Sequence, residues 1–350
     1  MAASSGAFMW IVLIAALLVT SCGRDRYIHR WNDRVLEVGK LHDAGELDEA
    51  QRRYEELLEN APGHEERRYV LNELARIAER RGDWHTALDR YEQVYSQEYD
   101  DEAGARATYR SAKIVTERLG ETERGRRLLR QTVTRYPASV SAEFSVRELA
   151  ERFRDRGEFS RLEQYFDELY VEVEDQPVAD NLLFALGMTL EEHADDEAGA
   201  LAHYRTLYTN YPDGGLSDDA LWQAAMIHKR HQRWPQAIEL LETLADDVET
   251  SWFVGSYNSP WTNDARFELG LIHLLFLDDY DAAIEHFERY LSDFPHSVET
   301  DDAAWHIVEA HRLMGDKDGY RRAMEDFIEQ YPESRFVRQA TQRLAEEANP

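Results

Sequence analysis

Residues 82–87 read Gly82-Asp83-Trp84-His85-Thr86-Ala87, and 37 residues earlier the chain reads Gly45-Glu46-Leu47-Asp48-Glu49-Ala50. Each phrase opens an amphipathic run: Ala50 is followed by Tyr54, and Ala87 by Tyr91. A glycine and an acidic residue ahead of apolar residues spaced three and four apart signal a helix start after a tight turn. The phrase recurs along the chain. Small or apolar residues stand at 50, 87, 125, 162, 200, 237, 283 and 320, in steps of 37, 38, 37, 38, 37, 46 and 37. Eight units at one period define a repeat protein in which every unit is a pair of helices.

A second phrase marks the other turn of the unit. It appears as Tyr136-Pro137-Ala138-Ser139, Tyr211-Pro212-Asp213, Phe294-Pro295-His296-Ser297 and Tyr331-Pro332-Glu333-Ser334. The aromatic residue packs the end of a helix, proline stops it, and the Ser or Asp is placed to cap the next. Arg335 to Ala348 reads as one further helix covering the open end of the array.

Composition bounds what such an array can do. The 350 residues include one cysteine and carry a formal net charge of -29. A single Cys excludes a disulfide framework and a thiolate zinc site. The acidity makes nucleic acid an unsuitable partner, because phosphate binding needs a surplus of Lys and Arg. The charge is uneven: residues 158–350 hold 14 basic against 41 acidic side chains, while residues 22–157 are nearly balanced and Arg-rich. This is either general solubilising acidity or a field that steers a basic partner. No phosphate loop, nucleophile elbow or paired-His metalloprotease motif is present, so no catalytic residue, cofactor or metal is expected. His228 and His231, and the acidic runs at 195–197 and 278–279, read as packing or surface histidines and as turns.

The repeat resembles the tetratricopeptide repeat, a helix-turn-helix unit of about 34 residues. The likeness implies an all-α, right-handed solenoid of about eight helix pairs over 34–333 with a capping helix over 334–350. The first helix of each pair then lines a concave face. Register places Arg76, Arg80, Arg110 and Arg147 on that face in the early repeats. It places Phe184, Trp222, Met226, Phe267 and Trp305 there in the later ones. A groove basic at one end and aromatic at the other suits an extended peptide with a carboxylate terminus; the same residues also suit packing between repeats. The longer 46-residue step holds an insert over 246–263, with Trp252, Phe253, Tyr257 and Trp261. It either plugs a gap between repeats or edges the groove.

The N-terminus supplies an address. Ala7 to Val19 is an uncharged apolar run, short for a membrane span and suited to an export signal. Val19-Thr20-Ser21-Cys22-Gly23 follows it and resembles the lipobox of bacterial lipoproteins. That likeness implies a signal peptide over 1–21, acylation of Cys22, and a lipidated N-terminus and linker over 22–33. With Gly23 rather than Asp after the cysteine, the outer membrane, facing the periplasm, is the implied destination. An uncleaved anchor is the alternative. Among repeat lipoproteins the chain is distantly similar to the BamD family of the barrel-assembly machinery and to the Tol-Pal-associated repeat proteins. The expectation is a non-catalytic envelope scaffold that binds proteins or peptides. Pilus, motility or cell-division assembly is an alternative role, and a solenoid enzyme or small-molecule carrier an alternative class.

Overall fold

The computed structural model describes residues 28–96, 99, 101–246 and 261–348. Those residues form seventeen helices and no strand. The first, α1, covers 28–44. The next are α2 (Leu47–Glu59), α3 (His64–Arg81), α4 (Trp84–Tyr95), α5 (Glu102–Glu117), α6 (Thr122–Arg135), α7 (Val140–Arg154) and α8 (Phe159–Val173). Then come α9 (Ala179–His193), α10 (Glu197–Asn210), α11 (Ser217–Arg230), α12 (Trp234–Asp246), α13 (Thr262–Leu275), α14 (Tyr280–Asp293), α15 (Thr300–Met314), α16 (Lys317–Gln330) and α17 (Val337–Ala348). They form eight successive helix-turn-helix pairs, α1/α2 through α15/α16, with α17 laid on the last. Contacts divide the chain into two compact units, meeting at Asn181 and Leu182.

The turn inside each pair is built one way eight times. Gly45, Gly82, Gly120, Gly157, Asp195, Gln232, Asp278 and Gly315 all take left-handed backbone, with φ between 52° and 83°. Each stands two residues before the second helix of its pair, and five of the eight are glycine because a Cβ is strained there. The residue that follows holds the cap position and is acidic in seven of the eight turns, and the aspartates among them make the capping bond. Asp83, Asp196, Asp279 and Asp316 accept from the backbone N–H of Thr86, Gly199, Ala282 and Gly319 respectively. Such a cap contributes about 1 kcal/mol. The acidic runs at 195–197 and 278–279 are therefore turns and caps.

The eight period-marking residues all occupy the same place, four beyond the cap. Ala50, Ala87, Leu162, Ala200, Ala237, Ala283 and Tyr320 are buried, as is Gly125. One helical turn later stand Tyr54, Tyr91, Leu129, Phe166, Tyr204, Leu241, Phe287 and Met324, all buried. The small residue lets the first helix approach, and the large one fills the space beside it. At the other turn, Tyr136, Tyr211, Phe294 and Tyr331 share φ near -126° and ψ of 50° to 56°. Their carbonyls accept from the N–H of Ser139, Gly214, Ser297 and Ser334. Ser139 also caps α7 through Ala142 N–H at 3.1 Å, as the phrase predicted.

Two boundaries differ from expectation. Residues 28–33 are helical rather than linker, because Trp31, Val35 and Val38 share one face of α1 and are buried against α2 and α3. The C-terminal helix begins at Val337; Phe336, Val337 and Leu344 pack against the last pair and Ala340 is buried. Cys22, the apolar run at 7–19, and residues 247–260 with Trp252 lie outside the described residues. Among the described residues, no helix is long and apolar enough to cross a membrane.

Candidate functional site: a cleft over three first helices

Helix α3 has two faces. Val70, Leu71, Leu74, Ile77 and Ala78 turn inward, while Glu65, Tyr69, Asn72 and Arg76 recur four, three and four apart on the other side. Helix α5 presents Ala103, Arg106, Arg110, Lys113 and Glu117 in the same manner. Together with the start of α1 these stripes enclose a cleft of about 850 Å³. Trp31 forms part of its wall, with its indole N–H donated to the Leu57 carbonyl at 3.3 Å. A neighbouring cleft of about 390 Å³ shares Arg76 and Arg110 and adds Arg80, Trp84, Lys113 and Arg118.

Most of the cations here are already engaged, by their own helix or by a neighbouring first helix. Arg110 pairs with Glu79 of α3, and the Tyr91 hydroxyl of α4 donates to the same carboxylate at 2.6 Å. Burial, reinforced by the Glu79 charge, pushes the Tyr91 phenol well above its ordinary range, so it remains a donor. Arg76 reaches Glu73 at 2.8 Å, and buried Glu73 also lies 3.1 Å from His42 Nδ1. Arg80 donates to the His42 carbonyl at 2.6 Å. Lys113 meets Glu148 of α7 at 3.1 Å. Burial raises the Glu148 carboxyl, but hydrogen bonds from Arg152 and Lys113 outweigh it and hold the group below its ordinary value. Arg147 lies over the half-exposed Phe144 ring at 4.9 Å. Arg106 is exposed and has no acidic partner among the described residues.

The second unit repeats the device. Arg230 reaches Glu191 at 2.7 Å, and Tyr204 donates to that carboxylate at 3.0 Å. Lys229 pairs with Glu268, and Arg343 of α17 with Glu309. A tyrosine of the second helix, a carboxylate of the first and a cation of the next first helix form one recurring bridge. Its charges stitch neighbouring repeats together.

The sequence-designated residues sort accordingly. Arg76, Arg80 and Arg110 do line one surface of the first unit, but as bridging groups; Arg147 stands on α7 over Phe144. The aromatic set belongs to the second unit, where packing accounts for much of it. Trp305 is buried, stacked on Phe336 at 4.9 Å with Arg343 over its ring, which corrects its reading as a groove anchor. Phe267 is wedged edge-on among Phe287, Tyr290 and His306. Phe184 rests half-buried on Tyr204. Trp222 stacks on Trp261 at 4.7 Å beside Met226, and Trp261 donates to Asp219 at 2.8 Å. That stack sits at one end of the 246–263 segment. Trp31, Tyr69, Asn72 and Arg106 were overlooked; the four-three-four spacing on α3 could have found Tyr69 and Asn72, and the matching stripe of Ala103, Arg106 and Arg110 on α5 could have found Arg106.

Family models described as tetratricopeptide repeat match residues 70–104, 182–214, 223–299 and 302–334. The stretches 182–214 and 302–334 each take in one helix pair and close just beyond Tyr211-Pro212 or Tyr331-Pro332. No curated protein matches the chain. Three solved structures illustrate the likeness. PilW, described as a widely conserved type IV pilus biogenesis factor, is 14% identical, covering 78% of this chain and 98% of its own, with a TM-score of 0.35. The C-terminal part of a TPR repeat-containing protein from Cytophaga hutchinsonii is 12% identical, covering 87% and 98%, at 0.36. BtubC from P. vanneervenii is 16% identical, covering 64% and 87%, at 0.39.

Proposed function

Since the chain is a tetratricopeptide repeat protein, and such repeats are scaffolds for protein–protein interaction, we propose that it is a non-catalytic scaffold of the bacterial cell envelope. In this reading Cys22 is acylated and holds the protein at the outer membrane, facing the periplasm. The observation that supports the scaffold role is the cleft over α1, α3 and α5. It combines a buried indole, a half-exposed Tyr69, the amide of Asn72 and an unpaired Arg106 on a rigid floor of bridged helices. An aromatic anchor supplies binding energy, amides match a peptide backbone, and a free guanidinium fixes an acidic side chain or carboxylate. The bridged cations cost nothing to leave in place, since their charges are already compensated.

Crosslinked envelopes test both parts. Capture with the native chain, compared with Tyr69→Ala and Arg106→Glu, should lose the same partners in both variants without loss of helicity. Retention of every partner refutes the cleft. Cys22→Ala should abolish fatty-acid labelling and release the protein from the membrane fraction; unchanged attachment would favour an uncleaved anchor. The partners recovered distinguish barrel assembly from pilus, motility or division complexes.

A further inference from the structure

We propose that a second interaction surface lies on the turn edge of the second unit, and that it docks a basic amphipathic segment of a protein partner. Three consecutive intra-pair turns build it. The turn between α13 and α14 exposes Leu275, Phe276 and Leu277, and the equivalent turn between α15 and α16 exposes Leu313 and Met314. These five side chains are 38–55% exposed. Phe276 and Leu313 stand at matching places, three before their caps Asp279 and Asp316, and Leu277 and Met314 two before. The turn between α11 and α12 joins them through Trp234, whose ring stacks on Phe276 at 4.5 Å. On the other side Tyr280 donates to Asp278 at 3.0 Å and lies within the field of Arg312. The apolar side chains therefore stand at equivalent places on adjacent turns, and this row of them is the strip that the proposal concerns.

The turn fold does not need them. The left-handed residue and the acidic cap complete the turn in another pair with polar neighbours, as at Arg80-Arg81-Gly82-Asp83. Large apolar side chains left in water on consecutive turns mark a contact surface. Charge then chooses the occupant. Residues 182–350 carry 33 acidic against 13 basic side chains. Asp278, Asp281 and Asp318 rim the strip, and Asp281 and Asp318 are exposed with no cation paired to them among the described residues. An anionic lipid surface is repelled by such a unit, and so is a second copy of it. A segment with Leu or Phe on one face and Lys or Arg beside it satisfies both the strip and the rim. This surface is separate from the cleft of the first unit, and its test does not depend on that site.

The probe is a dye-labelled, 18-residue Leu/Lys peptide patterned as an amphipathic helix. Its control is a scrambled peptide of the same composition without an apolar face. Fluorescence anisotropy with the full chain should show the patterned peptide binding at least about tenfold tighter than the control. Phe276→Ser with Met314→Ser should remove most of that difference. Because both side chains lie at the surface and neither belongs to the core, far-UV circular dichroism should be unchanged and the melting temperature should shift only by the loss of the Phe276 stack on Trp234. Asp281→Asn with Asp318→Asn should weaken binding and flatten its salt dependence. Equal binding of the two peptides, or indifference to Phe276 and Met314, overturns the proposal, since charge alone then explains the attraction. Flotation on vesicles of phosphatidylcholine and phosphatidylglycerol that is lost in the Phe276 variant also overturns it, in favour of lipid. So does self-association lost in that variant, in favour of a second copy.

Discussion

Gly270→Ala should destabilise the second unit, although alanine is the better helix former. Gly270 lies mid-way along α13, where its missing side chain admits the Phe287 ring. A Cβ at 270 would stand 2.7 Å from two ring carbons and 2.9 Å from a third. Ordinary carbon contacts begin near 3.5 Å, so the ring has to retreat by about 0.8 Å. It has nowhere to go, because Phe287 is fully buried, with Phe267 edge-on at 5.5 Å and His306 stacked at 5.2 Å. Overpacking of this kind costs about 2–3 kcal/mol, and helix propensity returns about 1, leaving a net loss of about 1–2 kcal/mol. Gly39 in α1 is the control. Its nearest atom would be the Tyr54 hydroxyl at 3.8 Å, so Gly39→Ala should stabilise by about 0.5–1 kcal/mol. Urea unfolding of both variants, and of Gly270→Ala combined with Phe287→Leu, measures the terms separately. The smaller side chain should recover part of the loss. A neutral or stabilising Gly270→Ala, or strict additivity with Phe287→Leu, would refute the argument that small and large residues are matched across the pair.

Three further outcomes follow from the structure. Gln232→Gly should raise stability by about 0.5–1 kcal/mol, since a left-handed residue with a Cβ is strained, and Gly157→Ala should lower it by about 1; melting temperatures check both signs. Arg110→Ala strips Glu79 and Tyr91 of their cation and should lower unfolding stability, whereas Arg106→Ala, with no partner to strand, should leave it within about 0.5 kcal/mol. Burial, with His273 and Arg266 adding to it, pushes the His286 imidazole down to about 4. The folded chain therefore binds fewer protons than the unfolded one between about 6.5 and 4, so stability should fall as the pH is lowered through that window, and His286→Gln should flatten the slope in pH-dependent unfolding.

The repeat was readable because its marks are backbone marks. A left-handed turn, a cap and a close helix crossing restrict residue type wherever they occur, so Gly, Asp and Ala returned at the same interval. The marks survived even where one was missing: Gln232 and Asp278 take the glycine's conformation, and the position four beyond the cap still identified their units. The site was harder to read. Arg110 and Trp305 look like groove residues by spacing, yet the groove side of a first helix also meets the next first helix. Spacing cannot tell which neighbour claims a side chain. Arg110 went to Glu79, and Trp305 to Phe336, which stands just ahead of α17 some thirty residues further on. Arg106, one turn from Arg110 on the same stripe, is exposed and makes no ion pair among the described residues, although Glu65, Glu66 and Asp101 line the same cleft.

The last described helix has a consequence for biosynthesis. Trp305 is covered on one side by Phe336 and on the other by Arg343, both supplied by the segment from 335 onward. Without that segment the final pair presents an uncovered indole, together with the part of the Phe327 ring that meets Phe336. A chain whose synthesis stops before residue 335 would be marked by that sticky end. Chaperones and proteases that survey apolar surface would then have a means of telling an interrupted product from a finished one.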